Sequence, residues 1–115
     1  MTDIIADAER YRDAIVNAGV RCVLDARSVN PPAVLIRPAT LNYRFGRGCV
    51  GASWVAWLYL PDAGQFDALR VGLPILETVQ SALASAGVAV LSATPADFQP
   101  PDGGLLPGFI INWNT

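Results

Sequence analysis

Apolar residues recur at steps of four and three through the first segment: Ile4, Ala8, Tyr11, Ile15 and Ala18 form one stripe. That spacing predicts an amphipathic, core-facing helix. Thr2 or Asp3 is placed to cap its start, Asp3, Asp7 and Glu9 sit near the positive end of its dipole, and Gly19 is placed to end it. The pattern then changes to period 2. Val20, Cys22, Leu24 and Ala26 alternate as one strand face, Arg27-Ser28-Val29-Asn30-Pro31-Pro32 forces a loop, and Ala33 to Arg37 reads as a short strand stopped by Pro38. Thr40 to Phe45 follows, with Leu41, Tyr43 and Phe45 on one side and Thr40, Asn42 and Arg44 on the other. Gly46-Arg47-Gly48 is a turn signal, so this strand and Cys49 to Leu60 are expected to form a hairpin.

The strand from Cys49 to Leu60 is unusual. Val55, Trp57 and Tyr59 lie on one face and Trp54, Ala56, Leu58 and Leu60 on the other, so both faces are apolar. A strand with one wet face alternates apolar and polar instead. Pro61-Asp62-Ala63-Gly64 breaks the sheet, and Phe66, Leu69, Leu73, Leu76, Val79, Leu83 and Ala86 repeat at helical spacing. Pro74 inside that run predicts a break just before it, with the proline in the first turn of the longer half. Gly87 ends this helix, Val88 to Ser92 reads as a strand, and a proline-rich loop holds Pro95, Pro100, Pro101 and Asp102. Phe109, Ile111 and Trp113 close the chain as a period-2 strand. The expected order is α-β-β-β-β-α-β-β in a single domain over residues 1–115, an α+β fold whose mainly antiparallel sheet carries two helices. With both helices on one face, the opposite apolar face is left for a neighbouring subunit.

Composition sharpens that expectation. A chain of 115 residues buries a smaller share of its surface than a larger one, yet 52% of it is hydrophobic and only 16% charged. Few charges remain to coat an isolated surface, which favours an oligomer. The net charge is −2, and the eight cations are all arginines scattered along the chain, so no basic run exists to grip a phosphate backbone. Arginine without lysine, with much Ala, Val and Gly, is the product of GC-rich coding and points to an actinobacterial-type host or its virus. The N-terminus is polar, so no signal peptide is expected, and the longest apolar run is too short to span a bilayer as a helix. A soluble protein made in a cytoplasm is expected.

Candidate chemistry is sparse. The absence of His and Lys removes the commonest general base, metal ligand and Schiff-base amine. Cys22 and Cys49 sit in apolar, strand-like surroundings and read as small buried hydrophobes, with a disulfide between them left open. Asp3/Asp7 and Glu9/Asp13 are spaced i, i+4 on the first helix but lie off its apolar stripe, as solvated surface does. Asp25 is the carboxylate to inspect for burial, with Arg27 or Arg37 as its partner in an ion pair. Gly46-x-Gly48 and Gly103-Gly104 lack the context and the lysine of a phosphate loop. The expectation is a protein that is not an enzyme, without catalytic residues, metal or cofactor.

Several segments together resemble small structural proteins of long-tailed actinobacterial phages (siphoviruses). These are Asp25-Ala-Arg27 with Asn30-Pro-Pro-Ala-Val-Leu-Ile-Arg-Pro38, the aromatic hairpin, the helix around Leu73-Pro74-Ile-Leu76, and Leu105-Leu-Pro-Gly-Phe109. Within that set the chain looks most like the tail terminator. The resemblance implies a virion subunit that forms a hexameric ring at the head-proximal end of the tail tube. It implies as partners other copies of the chain, the major tail-tube protein and the head-side connector, with DNA passing through unbound and no membrane involved. The acidic balance and the missing basic cluster suit such a channel. Another neck protein (a head-to-tail stopper or tail-completion protein) and a small non-catalytic bacterial binding module are the alternatives. Candidate interface residues are Arg44 and Arg47 near the hairpin tip, Trp54, Trp57 and Tyr59 on the two-faced strand, and Pro100 and Asp102 in the proline-rich loop.

Overall fold

Asp3 opens the first helix: its Oδ1 accepts the Ala6 amide at 3.0 Å, and α1 runs over Ile4–Asn17. At the far end the Gly19 amide bonds the Val16 carbonyl and the Val20 amide bonds that of Ile15, with Gly19 at a φ of 95°. This left-handed exit favours glycine. The computed structural model describes residues 3–24, 32–46, 48–60, 65–98 and 106–114. After α1 come β1 (Cys22–Val23), β2 (Ala33–Arg44), β3 (Gly48–Tyr59), α2 (Gln65–Ser85), β4 (Ser92–Phe98) and β5 (Leu106–Asn114). The strands form one sheet in the order β1-β2-β3-β5-β4. β1 is parallel to β2 and every other pair is antiparallel, so the fold is α+β with a mainly antiparallel sheet. Among the described residues no helix is long and apolar enough to cross a membrane.

Three prolines behave differently from the sequence reading. Pro38 does not end a strand: the two expected strands around it are one, β2, paired with β3 along its whole length. β1 reaches only as far as Leu35, so Pro38 sits where the other side of β2 has no strand to receive its missing amide. A bulge between Pro38 and Thr40 absorbs the irregularity, with Ala39 as the extra residue. Pro95, expected in a loop, lies within β4, the outermost strand, where again one side of the backbone needs no partner. The strand expected at Val88 to Ser92 is therefore displaced to Ser92–Phe98, and Val88 serves as a buried core residue just after α2.

Pro74 does not divide α2, which is continuous across it. Ile75, Leu76, Val79 and Leu83 pack against the core from the longer half and hold the helix in line. The shorter half approaches the sheet at Gly72, where a Cβ would lie 3.1 Å from Phe109 Cε2 and closer still to Leu60 Cδ1. Only glycine fits there without displacing its neighbours. Gly72 thus takes the buried position of the stripe, and Leu69 and Leu73, expected inside, flank it 40% and 49% exposed.

Both helices cover the same face of the sheet. Tyr11 and Ile15 from α1 and Val79, Ala82 and Leu83 from α2 meet Val34 and Ile36 of β2, Trp54, Ala56 and Leu58 of β3, and Phe109, Ile111 and Trp113 of β5. Trp54 and Trp113 are direct cross-strand partners with nearly parallel rings, 6.4 Å between centroids. Tyr11 meets both edge-on at 5.2 and 5.5 Å, a favourable quadrupole arrangement. Trp54, counted above among candidate interface residues, belongs to the subunit's own core.

The opposite face carries Ala33, Leu35, Val55, Trp57, Tyr59 and Ile110. It is not the bare apolar surface the sequence suggested, because Ala33, Leu35 and Tyr59 are buried within the subunit and Val55, Trp57 and Ile110 are half-buried. Arg37 lies over the Trp57 ring, 5.2 Å from its centroid, and shields part of it. The two tryptophans of β3 should therefore respond differently to truncation. Trp54→Ala is expected to cost about 3–5 kcal/mol in urea unfolding, as for a closed core site, and Trp57→Ala about half of that. Equal losses would place both rings in one closed core.

Candidate functional site

The most exposed large apolar side chain among the described residues is Phe45, at the tip of the hairpin. β5 pairs with β3 only from Ser53 to Tyr59, while Gly48 to Ala52 pair with β2 alone. The outer part of the hairpin therefore leaves the sheet as a two-stranded ribbon, extending about 17 Å for five residues at strand rise. The molecule is correspondingly elongated, 50 × 28 × 22 Å. From Arg37 to Arg44 every residue of β2 is exposed. Leu41 is 39% exposed, Tyr43 68%, and Phe45 fully.

Register explains why these side chains fall together. The extra residue at Ala39 shifts the alternation of β2, so that Leu41 rather than Thr40 lies beside Ala52, on the helix-covered face. A second irregularity between Asn42 and Tyr43 lies on the β3 side, with Val50 as the extra residue, and leaves Tyr43 on the same face as Leu41. The core face thus runs out along the ribbon past the end of its helical cover. The turn is made by Gly46 and Gly48, both at positive φ, 75° and 72°. Arg44 lies on the opposite face, exposed and without an ion-pair partner among the described residues.

Of the remaining candidate interface residues, Trp57 and Tyr59 lie on the second face of the sheet beside Arg37. Burial pushes the Tyr59 hydroxyl above its ordinary pKa, with Arg37 pulling weakly the other way. Arg47, Pro100 and Asp102 lie outside the described residues, as do Asp25 and Arg27. The sequence reading placed Leu41, Tyr43 and Phe45 on one side of a strand without marking them as exposed. The available signal was the length of the hairpin relative to the closing strand that must cover it.

The chemistry on offer is meagre. A cleft of about 340 Å³ between α2 and the β4–β5 edge is lined by Leu60, Leu69, Pro95, Phe109 and one carboxylate, Asp97. A single acid supplies neither a general acid–base pair nor a ligand set. Among the described residues no group of three or more His, Cys, Asp or Glu is placed to hold a metal. Cys22 is a free thiol buried under α1, and burial pushes its pKa up to about 12. Its strand position pairs with Val34, whereas Cys49 pairs with Tyr43, nine residues further along β2. Nine residues of strand span about 30 Å, far beyond the reach of a disulfide within one subunit. The question of that bridge, open in the sequence, is closed by register.

No known family model matches the chain, and comparison with curated proteins finds no match. The reading of function therefore rests on the residues themselves.

A thiol held at about 12 instead of its ordinary 9.0 favours the protonated form in the folded state. The unfolded chain then releases its proton first. The stability that comes from this group is complete below pH 9 and is lost as pH rises toward 12. Urea midpoints are expected to be flat below about pH 8 and to fall above pH 9, by at most about 1.4 kcal/mol per pH unit from this thiol. Tyr11 and Tyr59, also raised by burial, add in the same direction above pH 10. Cys22→Val should shallow the slope, and an unchanged slope would remove the thiol from the account. Mass-mapped alkylation at pH 7.5 should modify Cys22 only on unfolding.

Proposed function

We propose that the chain is a structural subunit of the tail-terminator type. In this role it assembles with other copies into a ring, a hexamer in the resembled family, at the head-proximal end of a phage tail tube. There it stops tube growth sterically and presents a docking surface to the head-side connector. The observation that carries this reading is the projecting ribbon with Leu41 and Tyr43 exposed on one face and Phe45 exposed in its turn. Hydrophobic side chains held out on a two-stranded arm gain nothing for an isolated subunit and suit insertion into a neighbour. A single carboxylate in the cleft between α2 and the β4–β5 edge and a buried thiol give catalysis little support among the described residues. The excess of carboxylates over arginines suits a channel through which DNA slides without being held.

The test is polymerisation of a phage tail-tube protein, taken from the gene neighbourhood of this chain. Added subunit is expected to cap tubes at one end and shorten their length distribution in negative-stain images. It should sediment with the tubes in substoichiometric amounts. Tubes that grow to the same lengths with the subunit free in solution would overturn the reading, as would a gene neighbourhood without tail proteins.

A further inference from the structure

Charge is distributed unevenly between the arm and the rest of the subunit. From Ala33 to Leu60, the hairpin and its base, the chain holds three arginines and no carboxylate. The remaining segments hold five arginines and all ten carboxylates. The excess is visible on α1, whose N-cap and helix carry Asp3, Asp7, Glu9 and Asp13 against Arg10 and Arg12. Those two arginines are already engaged: Arg10 Nη2 lies 3.4 Å from Asp7, and Arg12 Nε lies 3.1 Å from Asp13. Glu9 has no cation partner among the described residues.

Between α1 and the end of α2 runs an open groove of about 730 Å³. Its floor and walls include Ala6, Ala14 and Ala86, with Glu9, Asp13 and Arg10 along the α1 side. Small residues leave room there for large side chains, and the carboxylates give it a negative rim. The arm tip is its complement, with two exposed aromatic rings, Tyr43 and Phe45, and the exposed cation Arg44, which has no ion-pair partner among the described residues. Arg44 and Phe45 are adjacent in the chain, so a tip entering end-on brings cation and ring together against α1, which carries Ala6 and Ala14 as well as Glu9 and Asp13. Each aromatic ring brings about 150–250 Å² of contact area.

We infer that the arm tip of one copy docks in the α1–α2 groove of a second copy. Tyr43 and Phe45 cover the alanines, and Arg44 faces Glu9 and Asp13. The arm and groove are different patches of one chain, so the contact is head-to-tail, the kind that closes into rings when the rotation permits. The inference rests on the ring-subunit reading and specifies which surfaces make the ring. Side-chain contact of this kind places charge complementarity at the rim and apolar area at the centre.

Two variants with all changes at exposed positions separate the halves of the contact: Tyr43→Ser with Phe45→Ser on the arm, and Glu9→Arg with Asp13→Arg in the groove. Circular dichroism and thermal unfolding would establish that both fold. Analytical ultracentrifugation is expected to show assemblies larger than dimers for the wild type and monomers for each variant alone. Mixed 1:1, the variants should give a dimer and nothing larger, because only one intact arm meets one intact groove. Arg44→Glu should weaken assembly about tenfold, and combining it with the groove changes should restore most of that loss. A groove variant that assembles like the wild type, or a mixture that stays monomeric, would overturn the inference and leave the ring reading standing. A wild-type protein that remains monomeric even on tube ends would defeat both.

Discussion

The fold depends on the perpendicular contact of one tyrosine with two indoles. Tyr11 from α1 stands edge-on to Trp54 and Trp113, which lie parallel on the neighbouring strands β3 and β5. Such edge contacts add directional preference to burial, which fixes the roll of the helix as well as its distance from the sheet. Arg10 lies over the outer side of Tyr11 and reaches its hydroxyl at 3.4 Å, joining the cluster to the acidic surface of α1. Trp113 Nε1 is buried in the same cluster, beside the Tyr11 hydroxyl. The cluster also sits at the base of the arm. Trp54 and Trp113 form the next-to-last pair before β5 ends and the ribbon begins. The orientation of α1 and the rigidity of the arm's root are thus settled by the same three rings.

How much of this was legible in sequence depends on whether the deciding interaction is local. The α1 stripe, its cap and its Gly19 exit are local: the stripe appears as read from Ile4 to Ile15, with Ala18 exposed just past the helix end, Asp3 is the one of the two candidate caps that bonds, and Gly19 ends the helix. The hairpin with its glycine turn and the alternation of Phe109, Ile111 and Trp113 also appear as read. The prolines were misread because their cost depends on what lies beside them. A missing amide matters in a paired strand and is harmless at an unpaired edge, and nothing near Pro38 or Pro95 in sequence says which applies. Gly72 was passed over for a related reason. Helical spacing marks which positions can face the core, whereas the distance of closest approach chooses between a leucine and no side chain at all.

The site was legible only in part. Composition points toward association, and in the sequence the double-sided strand is its natural vehicle. Burial divides that strand's faces differently: one is the subunit's core, and much of the other is closed by Ala33, Leu35, Tyr59 and the Arg37–Trp57 stack. The exposed apolar side chains of the hairpin lie further out, where β3 outruns β5. Such a surface is set by the difference in length between neighbouring strands, and strand partners cannot be read from periodicity.

The edges of the sheet carry one further consequence. Among the described residues the outer side of β2 has no partner beyond Leu35, and it is interrupted by Pro38 and the bulge at Ala39; the outer side of β4, likewise without a partner among them, is interrupted by Pro95. An uninterrupted edge would act as a template on which strand after strand adds, the route to fibrils at high local concentration. Here each long edge lacks a donor near its middle, so backbone-to-backbone growth is frustrated while side-chain recognition is left free. For a subunit proposed to end a polymer, that matters: a terminator whose own edges seeded further growth would replace one uncontrolled filament with another.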